Sequence, residues 1–256
     1  KIKNMPVTLI QQNPNFTKKV EGDNKLAIAE LFCDTIQGEG VSTGVLSTFM
    51  RLQGCTLKCT WCDTLEVWPN GNEYSFDEIF ELFESVDLID KFRKGQHLIL
   101  TGGSPLKQQE QLTKFLVEFY NKYRFVPYIE IENEAVLMVD VLLAQFIRQF
   151  NNSPKLANSG MKERARIKPE VLKQLSRFMN SWFKFVVESD EDWNEIQRDF
   201  IEPGYISKYQ IILMPQGQTQ EELNISRPIA ADMAIKYGVR FSDRLHVTIW
   251  NKKVGV

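Results

Sequence analysis

The sequence predicts an α/β fold: an incomplete or modified (β/α) barrel, with a mostly parallel sheet and outer helices. Three observations carry this expectation. Short aliphatic runs alternate with longer stretches of helical periodicity. Strands separated by helices favour βαβ units and parallel pairing. The length, 256 residues, matches the roughly 250 residues of a barrel-type domain.

Strands are predicted at Leu26–Phe32, Ser47–Leu52, His97–Thr101, Tyr128–Ile131, Trp182–Val187, Gln210–Met214 and Leu245–Trp250. Each is a short run of β-formers or a period-two alternation. Helices are predicted at Phe76–Phe92, Gln108–Tyr123, Val139–Phe150, Pro169–Asn180, Asp190–Phe200 and Glu221–Tyr237. Ser75 and Asp77 offer N-cap chemistry to the first, and Pro169 suits a first helical turn. Asn151–Lys168, polar and basic, reads as a long loop at one mouth of the sheet, where ligands of parallel sheets bind. No repeat or low-complexity linker forces a division. Residues 1–24 read as an N-terminal arm or added hairpin, and 25–256 as the catalytic domain.

Lys plus Arg number 31 against 33 Asp plus Glu, so near-balanced charge argues against a protein that coats nucleic acid. A hydrophobic content of 43% can furnish a core, which excludes wholesale disorder. No run of about 18 apolar residues suggests a membrane helix. Lys1 to Lys19 lacks a signal-peptide pattern, so a soluble, cytoplasmic protein is expected.

Four cysteines are too few for a disulfide scaffold. Cys33 stands apart and reads as a packed thiol. Cys55, Cys59 and Cys62 form a C-x3-C-x2-C segment. Three thiolates on one loop can hold three irons of a 4Fe–4S cluster and leave the fourth open to a non-protein ligand. Zinc remains the alternative, although structural zinc wants a fourth ligand, here Cys33, His97 or His246, all distant in sequence.

With Trp61 just before its last cysteine, this segment resembles the radical S-adenosylmethionine superfamily. The resemblance implies one 4Fe–4S cluster per chain, with S-adenosylmethionine on the open iron as the source of a 5′-deoxyadenosyl radical. Thr101-Gly102-Gly103-Ser104-Pro105 is similar to the superfamily's glycine-rich strand end, with Ser104 in place of the usual acid. From about Glu30 to Val256 the chain is similar to the 7-carboxy-7-deazaguanine synthase family. The similarity rests on Thr35-Ile36-Gln37-Gly38-Glu39-Gly40, Met50-Arg51-Leu52-Gln53-Gly54-Cys55, Trp61-Cys62-Asp63-Thr64, Ser153-Pro154-Lys155, Lys184-Phe185-Val186-Val187, Leu213-Met214-Pro215-Gln216 and Arg244-Leu245-His246. Where that family has a Thr-Asn-Gly-like turn after an acid, this chain has Glu132-Asn133-Glu134-Ala135.

The family reaction contracts the ring of 6-carboxy-5,6,7,8-tetrahydropterin, with loss of ammonia, to 7-carboxy-7-deazaguanine on the way to queuosine-type deazapurines. The resemblance implies substrate contacts from Ile36, Gln37, Gly38, Glu39, Arg51, Thr101, His246 and the Val256 carboxylate. It implies S-adenosylmethionine contacts from Trp61, Asp63, Gly103, Ser104, Ser153, Pro154, Lys155 and Gln216, and a Mg²⁺ on Thr64. No residue is assigned as acid or base, since the radical abstracts the hydrogen. An electron donor such as flavodoxin or ferredoxin and a homodimer are implied, without membrane or direct nucleic-acid contact.

The residue chemistry agrees with a carboxylated pterin: Gln37 and Glu39 can read a donor–acceptor edge, and Arg51 can grip a carboxylate. Bland uses stay open. Gln37-Gly38-Glu39-Gly40 would serve as a polar turn, Arg51 as partner of a structural acid, Asp63 and Thr64 as caps, and Lys155 as a solvated loop residue. Thr101 and His246 would serve structurally. Two rival functions are a glycyl-radical-enzyme activase acting on a protein and a non-enzymatic zinc-binding interaction module.

Overall fold

A computed structural model describes residues 6–11, 24–62, 72–253 and 255. Its strands are β1 (Val7–Ile10), β2 (Lys25–Ile36), β3 (Leu46–Leu52), β4 (Asn72–Ser75), β5 (His97–Gly102), β6 (Tyr128–Asn133), β7 (Gln149–Asn152), β8 (Ser181–Val187), β9 (Ile211–Pro215) and β10 (Arg240–Phe241). They form one sheet in the order β1-β2-β3-β5-β6-β7-β8-β9-β10, with β4 also on β2. From β3 to β10 every pairing is parallel, whereas β2 runs antiparallel to β1, β3 and β4. Among the described residues the two ends of the sheet do not pair, so the barrel is open. No described helix is long and apolar enough to cross a membrane.

The helices are α1 (Phe76–Ser85), α2 (Leu88–Arg93), α3 (Gln109–Tyr123), α4 (Val141–Phe146), α5 (Glu163–Arg166), α6 (Pro169–Ser176), α7 (Asp190–Ile196), α8 (Gln220–Tyr237) and α9 (Leu245–Trp250). Ser75 and Glu78 close a capping box at the start of α1, satisfying donors that the first turn leaves free. Side chains alternate across a strand. Met50, Leu52, Leu98, Leu100, Ile129, Ile131, Phe150, Phe183, Phe185, Ile211 and Leu213 therefore point to one face and join the helices in the main core. The positions between them face the barrel interior: Phe49 and Arg51, Ile99 and Thr101, Glu130 and Glu132, Asn151, Lys184, and Met214. Phe32, Phe49 and Ile99 form an apolar cluster there.

Several expected elements are corrected. The helix expected over Phe76–Phe92 is two helices, because Asp87 takes a left-handed φ of 58°. The one expected over Val139–Phe150 ends at Phe146, and β7 follows. This strand escaped the reading because only Phe150 of its four residues is apolar, stacking on Phe178 at 4.7 Å. The expected loop Asn151–Lys168 thus begins as strand and holds α5. The strand expected at Leu245–Trp250 is α9, although its sequence alternates. Its amide at Leu245 donates to Gly38 O and Gln220 donates to Thr248 O, so loop and helix contacts hold it instead of a sheet edge.

Candidate active site

At the carboxyl ends of the parallel strands lies a cavity of about 250 Å³. The inward positions Phe32, Phe49, Arg51, Thr101, Glu132, Asn151, Lys184, Val186 and Met214 build its wall. Over it arch the loop after β3, carrying Cys55, Cys59 and Cys62, and the turn after β2, carrying Gln37, Gly38 and Glu39.

The thiol loop is held from two sides. Ser104 N donates to Gly54 O at 2.7 Å, and a Cβ on Gly103 would stand 2.4 Å from that oxygen. Gly102 has φ +134° and backs onto Leu52, where a Cβ would lie 2.2 Å from the carbonyl oxygen. Only glycine permits both approaches. On the other side, Thr60 N donates to Ser159 O at 3.0 Å and Trp61 Nε1 to Asn158 O at 3.1 Å. Burial pushes the Cys55 and Cys59 thiols above their ordinary range, so a bound cation would be needed to make them thiolates.

The donor set fits a cluster. Three thiols from one loop line the cavity. Closed zinc wants four ligands around a single ion, and the fourth thiol, Cys33, is buried in the main core instead. A 4Fe–4S cluster held by Cys55, Cys59 and Cys62 would take one thiolate per iron and leave its fourth iron open to a non-protein ligand. Gly102, Gly103 and Glu134 line the same cavity.

Glu39 is the electrostatic hub of the opposite wall. Its carboxylate takes Lys184 Nζ on one oxygen and Arg244 Nε at 3.0 Å on the other. Burial alone would raise its pKa, but Lys184, Arg244 and His246 outweigh that and hold it well below the carboxylate range. Burial disfavours the Lys184 cation, and Glu39 and Glu132 reverse this, so its pKa ends raised. Glu132 accepts from Gln37 Nε2 at 3.1 Å and Thr101 Oγ1 at 2.8 Å. Arg51 donates from Nε to Glu30 at 2.8 Å, and among the described residues its two terminal nitrogens make no hydrogen bond. His246 packs against Gly38 so closely that a Cβ there would lie 2.1 Å from Nδ1.

Of the residues singled out by sequence, Ile36, Gln37, Gly38, Glu39, Arg51, Cys55, Cys59, Trp61, Cys62, Thr101, Gly103, Ser153, Lys155, Gln216 and His246 share the cavity. Ser104 and Pro154 are buried behind its wall. Asp63, Thr64 and Val256 lie outside the described residues. Trp61 carries Lys155 Nζ 5.6 Å from its ring centroid, and its carbonyl accepts from Gln218. Lys155 also bonds Ser153 Oγ at 2.7 Å, so it is not a free loop lysine. Sequence reasoning gave no site role to Glu132, Glu134, Asn151, Lys184 or Arg244. The alternation of Trp182, Lys184 and Val186 against Phe183, Phe185 and Val187 was the available signal.

A 4Fe-4S single cluster domain model matches residues 36–145. The 7-carboxy-7-deazaguanine synthase of Pyrobaculum aerophilum is 29% identical over 90% of this chain and 97% of its own. The crystal structure of QueE from Escherichia coli superposes with a TM-score of 0.62 at 21% identity, covering 87% of this chain and 95% of that one, a likeness of fold. The enzyme of the same name from Buchnera aphidicola is 31% identical across 77% of this chain and 88% of its own length, and this chain belongs to the 7-carboxy-7-deazaguanine synthase family.

Proposed function

We propose that this chain converts 6-carboxy-5,6,7,8-tetrahydropterin to 7-carboxy-7-deazaguanine by radical ring contraction with loss of ammonia, within deazapurine biosynthesis. One observation carries the proposal: three cluster-spaced thiols share a single cavity with Arg51, Gln37 and Thr101, a set suited to a carboxylated, amide-edged ring. Bound there, the cluster and S-adenosylmethionine supply the radical that abstracts hydrogen. Arg51, steadied by Glu30, turns its remaining nitrogens to the substrate carboxylate. Gln37 and Thr101 are oriented by Glu132 toward the ring. Glu39, neutralised by Lys184 and Arg244, fixes the turn that carries Gln37 and Gly38. Trp61, Gly103, Ser153, Lys155 and Gln216, which line the cavity, take the S-adenosylmethionine side, and the family reading adds Asp63, Ser104 and Pro154.

The family reading further supports Mg²⁺ on Thr64, Val256 as a substrate contact, a flavodoxin- or ferredoxin-like electron donor, and a homodimer. Cysteines at a cluster loop that form no disulfide suit the reducing cytoplasm. Anaerobic turnover of the iron–sulfur-reconstituted protein with carboxytetrahydropterin, S-adenosylmethionine and reductant, with and without Mg²⁺, tests this by mass spectrometry. Carboxydeazaguanine is the expected product, more of it with Mg²⁺. An intact cluster that cleaves S-adenosylmethionine yet yields no such product would overturn the substrate assignment.

A further inference from the structure

Lys184 comes from β8 and lines the cavity while being only 7% exposed. Its Nζ donates to Glu39 Oε2, and among the described residues it has no other acceptor. An ammonium carries three hydrogens, so two of them are left without a partner in a group that is nine-tenths buried. An unmet buried donor is costly, so one in a cavity wall marks where a ligand acceptor belongs. Glu39 and Glu132 outweigh the burial that disfavours its charge, so Lys184 stays an ammonium, which donates and cannot accept.

The chemistry of the missing acceptor follows from the residue that Lys184 holds. Glu39 takes Lys184 on Oε2 and Arg244 Nε on Oε1. An ionised carboxylate has about four lone-pair sites, so each oxygen can accept once more. The pair therefore offers an acceptor and a donor side by side, joined by their own hydrogen bond. A cyclic lactam offers the converse, an N–H beside a carbonyl oxygen, and the edge of a pterin runs amino donor, N3–H donor, C4 carbonyl acceptor. We infer that Lys184 donates to the C4 carbonyl oxygen of the pterin while Glu39 accepts from N3–H. The inference rests on the proposed function and deepens it, because it makes Lys184 the residue that separates 4-oxo from 4-amino pteridines. A 4-amino group in that place would turn its N–H bonds toward an ammonium. Arg51, on β3, is left for the substrate carboxylate.

Anaerobic equilibrium dialysis of the reconstituted, cluster-loaded protein with S-adenosylmethionine and no reductant tests this. The probes are carboxytetrahydropterin, its 4-amino analogue, and tetrahydropterin lacking the 6-carboxylate. Wild type should prefer the 4-oxo compound to the 4-amino one by roughly 10- to 100-fold, the range of a hydrogen bond to a charged group. Lys184→Met, with unchanged iron content, should lose most of that preference and keep the preference for a 6-carboxylate. A merely structural role would weaken both pteridines alike, so an equal 4-oxo preference in Lys184→Met and wild type overturns the inference. Loss of the carboxylate preference instead also overturns it, since Lys184 would then hold the carboxylate. Should Lys184→Met fail to fold, Lys184→Gln carries the test, because its amide can turn either N–H or oxygen to the ring, and an undiminished preference there overturns the inference too. A wild type that binds both 6-carboxylated compounds alike sinks the inference and leaves the proposed function standing. One that binds neither, with its cluster intact, sinks the functional reading itself, and this inference with it.

Discussion

Gly103 and Cys55 come so close that a methyl group between them has no room: a Cβ on Gly103 would stand 2.6 Å from the Cβ of Cys55. The end of β5 is therefore a mould for the thiol loop, and the backbone bond from Ser104 N to Gly54 O presses the two together.

Gly103→Ala should displace that loop. Overpacking costs about 1–3 kcal/mol, and here the strain falls on Gly54 and Cys55. Expected are a melting temperature lowered by a few degrees and a sharply reduced iron content after reconstitution, read by metal analysis. Full iron loading in this variant would refute the mould.

Half-buried Arg51 pairs with buried Glu30, their side chains 19% and 8% exposed. Arg51→Ala leaves Glu30 uncompensated, at a cost of roughly 3–5 kcal/mol. The double variant Arg51→Ala/Glu30→Gln should recover most of that stability in denaturant unfolding. Substrate affinity should stay down by roughly 10-fold or more in both variants, the loss of a charge-assisted bond. Recovery of affinity along with stability would mean that Arg51 serves Glu30 alone.

Glu39 makes stability depend on acid in a stated direction. Its folded pKa lies below the ordinary 4.5, held there by Lys184, Arg244 and His246 against the opposing effect of burial. The stabilisation is complete above pH 4.5 and is lost as pH falls toward the folded value. Glu39→Gln should therefore be less stable than wild type near neutrality, and the gap should narrow in unfolding measured stepwise below pH 4.5. A gap independent of pH would contradict the ion-pair account.

Arg166 ties down the segment that straps the thiol loop. It pairs with Glu195 at 2.6 Å and donates to Lys155 O and Met161 O, while Glu195 accepts from Ala157 N. Arg166→Met should raise amide hydrogen exchange across residues 155–161 and weaken S-adenosylmethionine binding, with β2 and β3 unchanged. Exchange that rises uniformly over the whole chain would point to global destabilisation instead.

The sequence by itself determined the thiol triad, the parallel α/β plan and most outer-facing core positions, because local spacing and period-two or helical periodicity carry them. Phe183, Phe185 and Val187 could be read as one buried face of β8 from their alternation alone. The character of the opposite face was a tertiary decision. Alternation says that Trp182, Lys184 and Val186 share a side, but not whether that side meets water or a closed interior. Curvature of the sheet brings Lys184 to Glu39, 145 positions earlier, and Ser104 to Glu134, and these encounters turn ordinary polar residues into a site. The same holds for β7 and α9, whose few residues fit either secondary structure. Neighbouring strands decide the first, and contacts with Gly38 and α8 decide the second.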